Sequence, residues 1–457
     1  MRLEHIPATA DAPVVDIPPF DPAPFVARRQ ALLRRMAASG SGIAIIPTGG
    51  EVPRNRDANF PFRFDSYFYY LTGFTEPDAV LVLVAGESPK SLLFCQPKDE
   101  SREIWDGYRY GPEVACETFA MDEAHALAAL DELLPTLMAD REAVWFSLGH
   151  DAAWDARLNG WLKAVRALVR TGIAAPGAVR DVRVPLDAMR LVKDAAELAT
   201  MRRAAAISCR AHARAMRFTR PGVREFQVEA ELLHEFRMGG AQSPAYGSIV
   251  ATGANACVLH YRADSAVCKD GELLLIDAGC EVDGYASDIT RTFPVNGCFS
   301  GPQRDCYELV LAAQAAAFAA TAPGRRWDEP HAAAVKVLAQ GFIDLGLLQG
   351  SLDGVLESKA YSRFYMHRTG HWLGLDVHDA GDYKVDGEWR ALLPGMVLTI
   401  EPGCYIRAAA DIDPRFHDIG IRIEDDALVT VDGHENLTLA APKSVADIEA
   451  LMRREGA

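Results

Sequence analysis

The chain has no Cys-x-x-Cys pair, and its nine cysteines are an odd number scattered from Cys95 to Cys404. That argues against a disulfide framework and a zinc knuckle, and it fits a reducing compartment, the cytoplasm. Basic residues are also short: 47 Lys and Arg face 63 Asp and Glu, a net charge of −16. So acidic a chain is suited neither to nucleic acid nor to a polybasic membrane contact. No hydrophobic run approaches the ~20 residues needed to cross a bilayer. The opening MRLEHIPATADAPVV is mixed and proline-rich, so no export leader is expected.

What remains is ordinary globular composition at more than single-domain length. With 457 residues, 49% of them hydrophobic, two domains with ample cores are expected. Residues 1–183 read as an α/β domain with a mixed sheet. Strand-like runs at Gly42–Ile46, Ala79–Val84 and Ser91–Cys95 alternate with helical stretches such as Asp122–Leu137 and Ala152–Leu168. A proline-studded arm is expected from Met1 to about Asp21. The aromatic stretch Arg54–Phe74 reads as a core edge, with a partner surface as the rarer alternative. Residues 184–457 form the second domain, after Val184-Pro185 breaks the extended pattern. Asp194 and Glu197 make a capping box opening a long helix through Met216, and Val223–Met238 follows. Helices at Arg304–Ala322 and Glu329–Leu345 then precede extended segments from Tyr365 to Thr430. Helix, helix and strands thus occur twice, as in an internal structural repeat with two halves facing across a cleft.

The chemistry centres on Leu273–Phe293, LLLIDAGCEVDGYASDITRTF. An apolar run, an Asp-Gly turn signal and a second extended run predict a β-hairpin. Folding it about the turn sets Asp277 opposite Asp288, or one diagonal step away, on the same face in either register. Two carboxylates about 5 Å apart repel by roughly 3 kcal/mol at an effective dielectric of 20. A shared proton, a neighbouring cation or bound metal must offset that. Three further candidates follow in extended contexts: His371, Glu401 ahead of Pro402-Gly403, and Glu424 in GIRIEDD, where alternation sets Arg422 on the same face. Singly, each could be a core or solvated residue. Together, four carboxylates and one imidazole without thiolate suit a pair of hard divalent cations such as Mn²⁺ or Co²⁺. Two bridging carboxylates would hold such ions roughly 3.5 Å apart.

The strings IDAGCEVDGYASDITRTFPVNG, HWLGLDVHD, VLTIEPGCYI and GIRIEDD, with EIWDG in the first domain, resemble the creatinase/aminopeptidase family with the pita-bread fold. Within it they look most like the bacterial Xaa-Pro aminopeptidases (aminopeptidase P), and the likeness covers essentially the whole chain. It implies an α+β C-terminal domain with helices outside a curved antiparallel sheet, and removal of an N-terminal residue ahead of proline. Its ligand set falls on Asp277, Asp288, His371, Glu401 and Glu424, with Asp288 and Glu424 bridging two metal ions, Mn²⁺ first and Co²⁺ or Zn²⁺ as alternatives. It also implies His260, His367 and His378 as active-site histidines, Tyr405 and Arg422 as supporting groups, and a homo-oligomer, dimer or tetramer. Arg368 departs from many relatives, which carry glycine after the first histidine. Two rivals remain: an Xaa-Pro dipeptidase, which would leave a tripeptide intact, and a non-catalytic binding module, which would carry no stoichiometric metal.

Overall fold

The computed structural model describes residues 18–453, so most of the expected N-terminal arm lies outside the described residues. Two compact units divide between Arg190 and Leu191. The expected border at 183/184 is passed by a helix, Arg183–Arg190, which accepts Pro185 in its first turn, where no backbone N–H is needed. Asp187 in that helix accepts a hydrogen bond from the Tyr67 hydroxyl at 2.7 Å, which ties it to the first unit.

In the first unit Gly42–Pro47 lies central in a six-stranded mixed sheet. It pairs antiparallel with Val80–Ala85 on one side and parallel with Ala143–Trp145 on the other. Fully apolar strands such as VLVLVA suit this position, buried on both faces. The stretch expected as one helix from Asp122 is in fact a strand, Glu123–Ala126, followed by the helix Leu130–Met138. Parallel pairing with Leu92–Cys95 outweighs local helix propensity there, and the Asp122 carboxylate accepts from the Ser91 N–H and hydroxyl, both at 2.7 Å. The aromatic segment is mainly core: Phe68, Tyr69 and Tyr70 are buried in the helix Ser66–Thr72, and only Phe60 stands half exposed.

In the second unit the capping box at Asp194 opens the helix Ala195–Phe218, and Glu225–Met238 packs beside it. A second helix pair, Gly301–Ala319 and Asp328–Asp344, repeats the arrangement. Each pair accompanies an antiparallel sheet. The first places Leu273–Asp277 between Ile249–Thr252 and Thr290–Pro294; the second places Asp425–Val429 between Val397–Ile400 and His434–Asn436. Period-two alternation sorts the side chains. Leu274 and Ile276 join the large apolar core with Phe293, Ile400, Ile421 and Ile423, whereas Leu275 turns to the opposite face beside Ile249 and Tyr405. Asp277 shares the Leu275 face, and that face carries the site.

Candidate metal centre

The hairpin turns at Asp283-Gly284, both with positive φ (48° and 79°), the conformation that two-residue hairpin turns require. Glu281 pairs with Ala286 and Asp277 with Thr290, so the diagonal register is the one adopted. Asp288 lies opposite Gly279, where a Cβ would stand 1.7 Å from the Ser287 carbonyl oxygen; only glycine admits so close a crossing. The two aspartates face the same hydroxyl. Tyr246 Oη lies 2.7 Å from Asp277 Oδ1 and in close contact with Asp288 Oδ1.

Around this pair the other candidates gather. Thr290 donates its hydroxyl to Glu424 Oε2 at 2.6 Å. Asp288, His371 and Glu424 present ligand atoms all within 4.8 Å of one another. His371 gives its Nδ1–H to the Trp372 carbonyl at 2.9 Å, which leaves Nε2 directed at Asp288 Oδ2, 3.4 Å away. Glu401, beyond the strand Val397–Ile400, lies 4.0 Å from that nitrogen and 3.8 Å from His367 Nδ1. Arg422 spans three partners: Asp277 at 2.7 Å, the Tyr405 hydroxyl at 3.0 Å and the Thr290 hydroxyl at 3.1 Å. Tyr405 in turn donates to His367 Nε2 at 2.8 Å, because Nδ1–H is given to the Arg368 carbonyl.

One cavity of about 880 Å³ is lined by Asp277, Asp288, His371, Glu401 and Glu424, together with His260, His367, His378 and Arg422. Tyr405 does not line it; fully buried, it acts through Arg422 and His367. Tyr246 does line it, and sequence reasoning missed it: nothing in AYGSIV distinguishes this tyrosine from a core residue.

The electrostatics fit a cationic guest. Burial, then repulsion from the neighbouring carboxylates, pushes Glu424 well above the ordinary range; burial likewise raises Asp288 and lifts Glu401 to about 7. Burial opposes a charge on His371, yet the Asp288 carboxylate holds it up to about 9. That proton would sit on Nε2, since Nδ1–H is given to the Trp372 carbonyl, so a bound cation would take the proton's place and meet a neutral His371 ring. A single Tyr246 proton cannot satisfy both aspartates, whereas a divalent cation could. Oxygen-rich donors with one imidazole and no thiolate are the chemistry of hard or borderline divalent ions. Burial and the charged His371 push His378 down, its ring centroid 4.2 Å away, and burial with Arg422 holds His367 at about 3, so both serve as neutral rings.

Comparison with known proteins gives the family. Residues 199–431 match the model of metallopeptidase family M24. The chain belongs to that family. Residues 25–145 match the N-terminal domain of aminopeptidase P. The Xaa-Pro aminopeptidase of Escherichia coli K12 is 42% identical over 94% of this chain and 97% of its own. That of Haemophilus influenzae is 44% identical over 88% of this chain and 91% of its own. Among solved structures, Pseudomonas aeruginosa aminopeptidase PepP superposes with a TM-score of 0.93 at 49% identity, covering 96% of this chain and 99% of that one. A zinc-substituted E. coli aminopeptidase P in complex with product gives 0.92 at 41% identity, covering 96% and 100%. This family member is thus a metallopeptidase with the aminopeptidase P fold, and no helix among its described residues is long and apolar enough to cross a membrane.

Proposed function

We propose that the chain is an Xaa-Pro aminopeptidase, a metallo-exopeptidase that removes the first residue from peptides with proline second. The observation that carries this reading is the meeting of Asp277, Asp288, His371, Glu401 and Glu424 in one cavity, within a chain so similar to named Xaa-Pro aminopeptidases. These five would hold two divalent ions, Mn²⁺ first and Co²⁺ or Zn²⁺ as alternatives, with Asp288 and Glu424 shared between them. When bound, such ions supply an acidified water and a Lewis acid for the scissile carbonyl.

The side chains do the rest. Asp277, held by Arg422, receives the substrate's free α-amine. His260 and His378 donate toward the carbonyl oxygen as charge develops there. The departing prolyl nitrogen carries no hydrogen of its own and must acquire one; Glu401 holds and passes that proton. Arg422 fixes Asp277 and, through Tyr405, the ring of His367, which borders the proline. We assign the protein to the cytoplasm on its odd, scattered thiols, and to a homo-oligomer on the strongly exposed Ile104 and Trp105 of the helix Glu100–Asp106. Light scattering alongside activity tests the latter: a fully active monomer would exclude it.

The deciding experiment measures metal content together with cleavage of Xaa-Pro-Yaa and Xaa-Pro peptides. Stoichiometric metal with release of the first residue from the tripeptide is expected. Cleavage of the dipeptide alone would make the protein a prolidase, and absence of both metal and turnover would make it a binding module.

A further inference from the structure

The cavity changes character from floor to mouth. At its floor lie the buried carboxylates of Asp288 and Glu424; at its rim stand the exposed side chains of Arg368 and Lys384. Both cations rest against one indole. The Arg368 guanidinium carbon is 5.4 Å from the Trp389 ring centroid, and the Lys384 ammonium is 4.5 Å from it. Lys384 and Trp389 face each other across a short ribbon, Lys384–Val385 with Glu388–Trp389, turned at Asp386-Gly387. Both turn residues have positive φ (51° and 84°), so Lys384 and Trp389 stand on a defined hairpin. Arg368 directly follows His367, whose ring lines the cavity and gives its Nδ1–H to the Arg368 carbonyl, so its backbone is held at the cavity wall while its side chain reaches the rim.

Neither cation has an anionic partner among the described residues. Asp382 lines the same cavity yet pairs with neither, and Arg262, a third rim cation, is committed to the Gly247 carbonyl. In a chain carrying a net charge of −16, two adjacent cations without counter-charge at a cavity mouth call for a ligand. The direction of binding says which part of it. This step rests on the exopeptidase reading above: a peptide held by its amino terminus at the floor leaves through the mouth. What passes the rim is therefore the segment downstream of the scissile bond.

We propose that Arg368 and Lys384 form a carboxylate-selecting subsite for the residue that follows the proline. It takes either an acidic side chain at that position or the free α-carboxylate of a tripeptide. The guanidinium fork matches a carboxylate with two parallel donors, and stacking on Trp389 orders it before substrate arrives. Because the rim is solvated, the effect is modest and screened by salt.

The test compares kcat/KM of the metal-loaded enzyme on Ala-Pro-Glu-amide, Ala-Pro-Gln-amide and Ala-Pro-Gln with a free carboxylate. The Glu amide is expected to exceed the Gln amide about three- to tenfold, mainly through KM, with the ratio shrinking at about 0.5 M NaCl. Arg368→Gln combined with Lys384→Gln should bring the ratio to about one. A gain with the free acid over its amide extends the subsite to the terminal carboxylate; a gain with the Glu amide alone confines it to the side chain. A ratio of one in the unsubstituted enzyme, or the same ratio in the double variant, overturns the proposal. If no peptide is cleaved, the exopeptidase reading fails separately, and calorimetric binding of the two amides decides the subsite: tighter Glu binding lost in the double variant supports it, and equal binding overturns it.

Discussion

Arg422 donates to Asp277 at 2.7 Å, with both groups drawn largely out of water. A buried pair broken on one side leaves an uncompensated charge, at a cost of about 3–5 kcal/mol. Arg422→Gln should therefore lower the thermal midpoint and reduce kcat/KM roughly 10–100-fold, since Asp277 and Tyr405 lose their common anchor. Calorimetry and peptide kinetics on the same preparation check both effects.

Asp288→Ala and Glu424→Ala should each remove activity and much of the bound metal, because each would delete a carboxylate proposed to be shared between the two ions. Elemental analysis with a tripeptide assay reads this directly. Either variant retaining full metal and full turnover would sink the bridging assignment.

Tyr246→Phe removes the hydroxyl between Asp277 and Asp288. In chelator-treated protein two carboxylates then face each other without that donor, and about 1–3 kcal/mol of stability should be lost. Metal-loaded protein should lose less, since bound cations neutralise the pair. The gap in melting temperature between loaded and chelated forms should widen; an unchanged gap would contradict this role.

His212 gives a prediction with pH. Burial holds it down to about 4, against the pull of the Ala278 carbonyl that accepts its Nε2–H at 2.9 Å. The unfolded chain takes up this proton near pH 6.5. Below that pH the unfolded state binds more protons than the folded one, so stability falls as pH drops from about 6.5 to 4. His212→Gln should shrink the loss between pH 7 and 5 by about 2 kcal/mol, measured by urea unfolding of chelator-treated protein.

Gly279→Ala forces a Cβ onto the Ser287 carbonyl, a backbone atom that cannot swing aside. The hairpin must open, moving Asp288. Loss of metal affinity along with stability is expected by titration and thermal melts; wild-type affinity would show that the crossing tolerates a methyl group.

Much of the centre was legible because hairpin geometry obeys a strict period. The Asp-Gly turn left only two registers, both setting Asp277 and Asp288 on one face, and the adopted one is the diagonal. Alternation likewise separated Arg422 and Glu424 from Ile421 and Ile423. Long-range contacts leave no such local mark. Tyr246 precedes the strand Ile249–Thr252 in a segment without periodicity, and its place is set by packing alone. Arg291 is similar: a fully buried guanidinium that bonds the carbonyls of Thr290, Glu424, Ala441 and Pro442 and the Asp425 carboxylate, although arginine in a strand is usually solvent-facing. The strand Glu123–Ala126 was read as helix because its partner, Leu92–Cys95, is remote in sequence.

The candidate donors, from Asp277 to Glu424, come from both halves of the second unit, on segments that meet only once the two sheets are in place. An ion cannot nucleate such an assembly; it must be captured late, by a chain already close to its final topology. Metal uptake during refolding would then lag behind helix formation and report the docking of one half on the other.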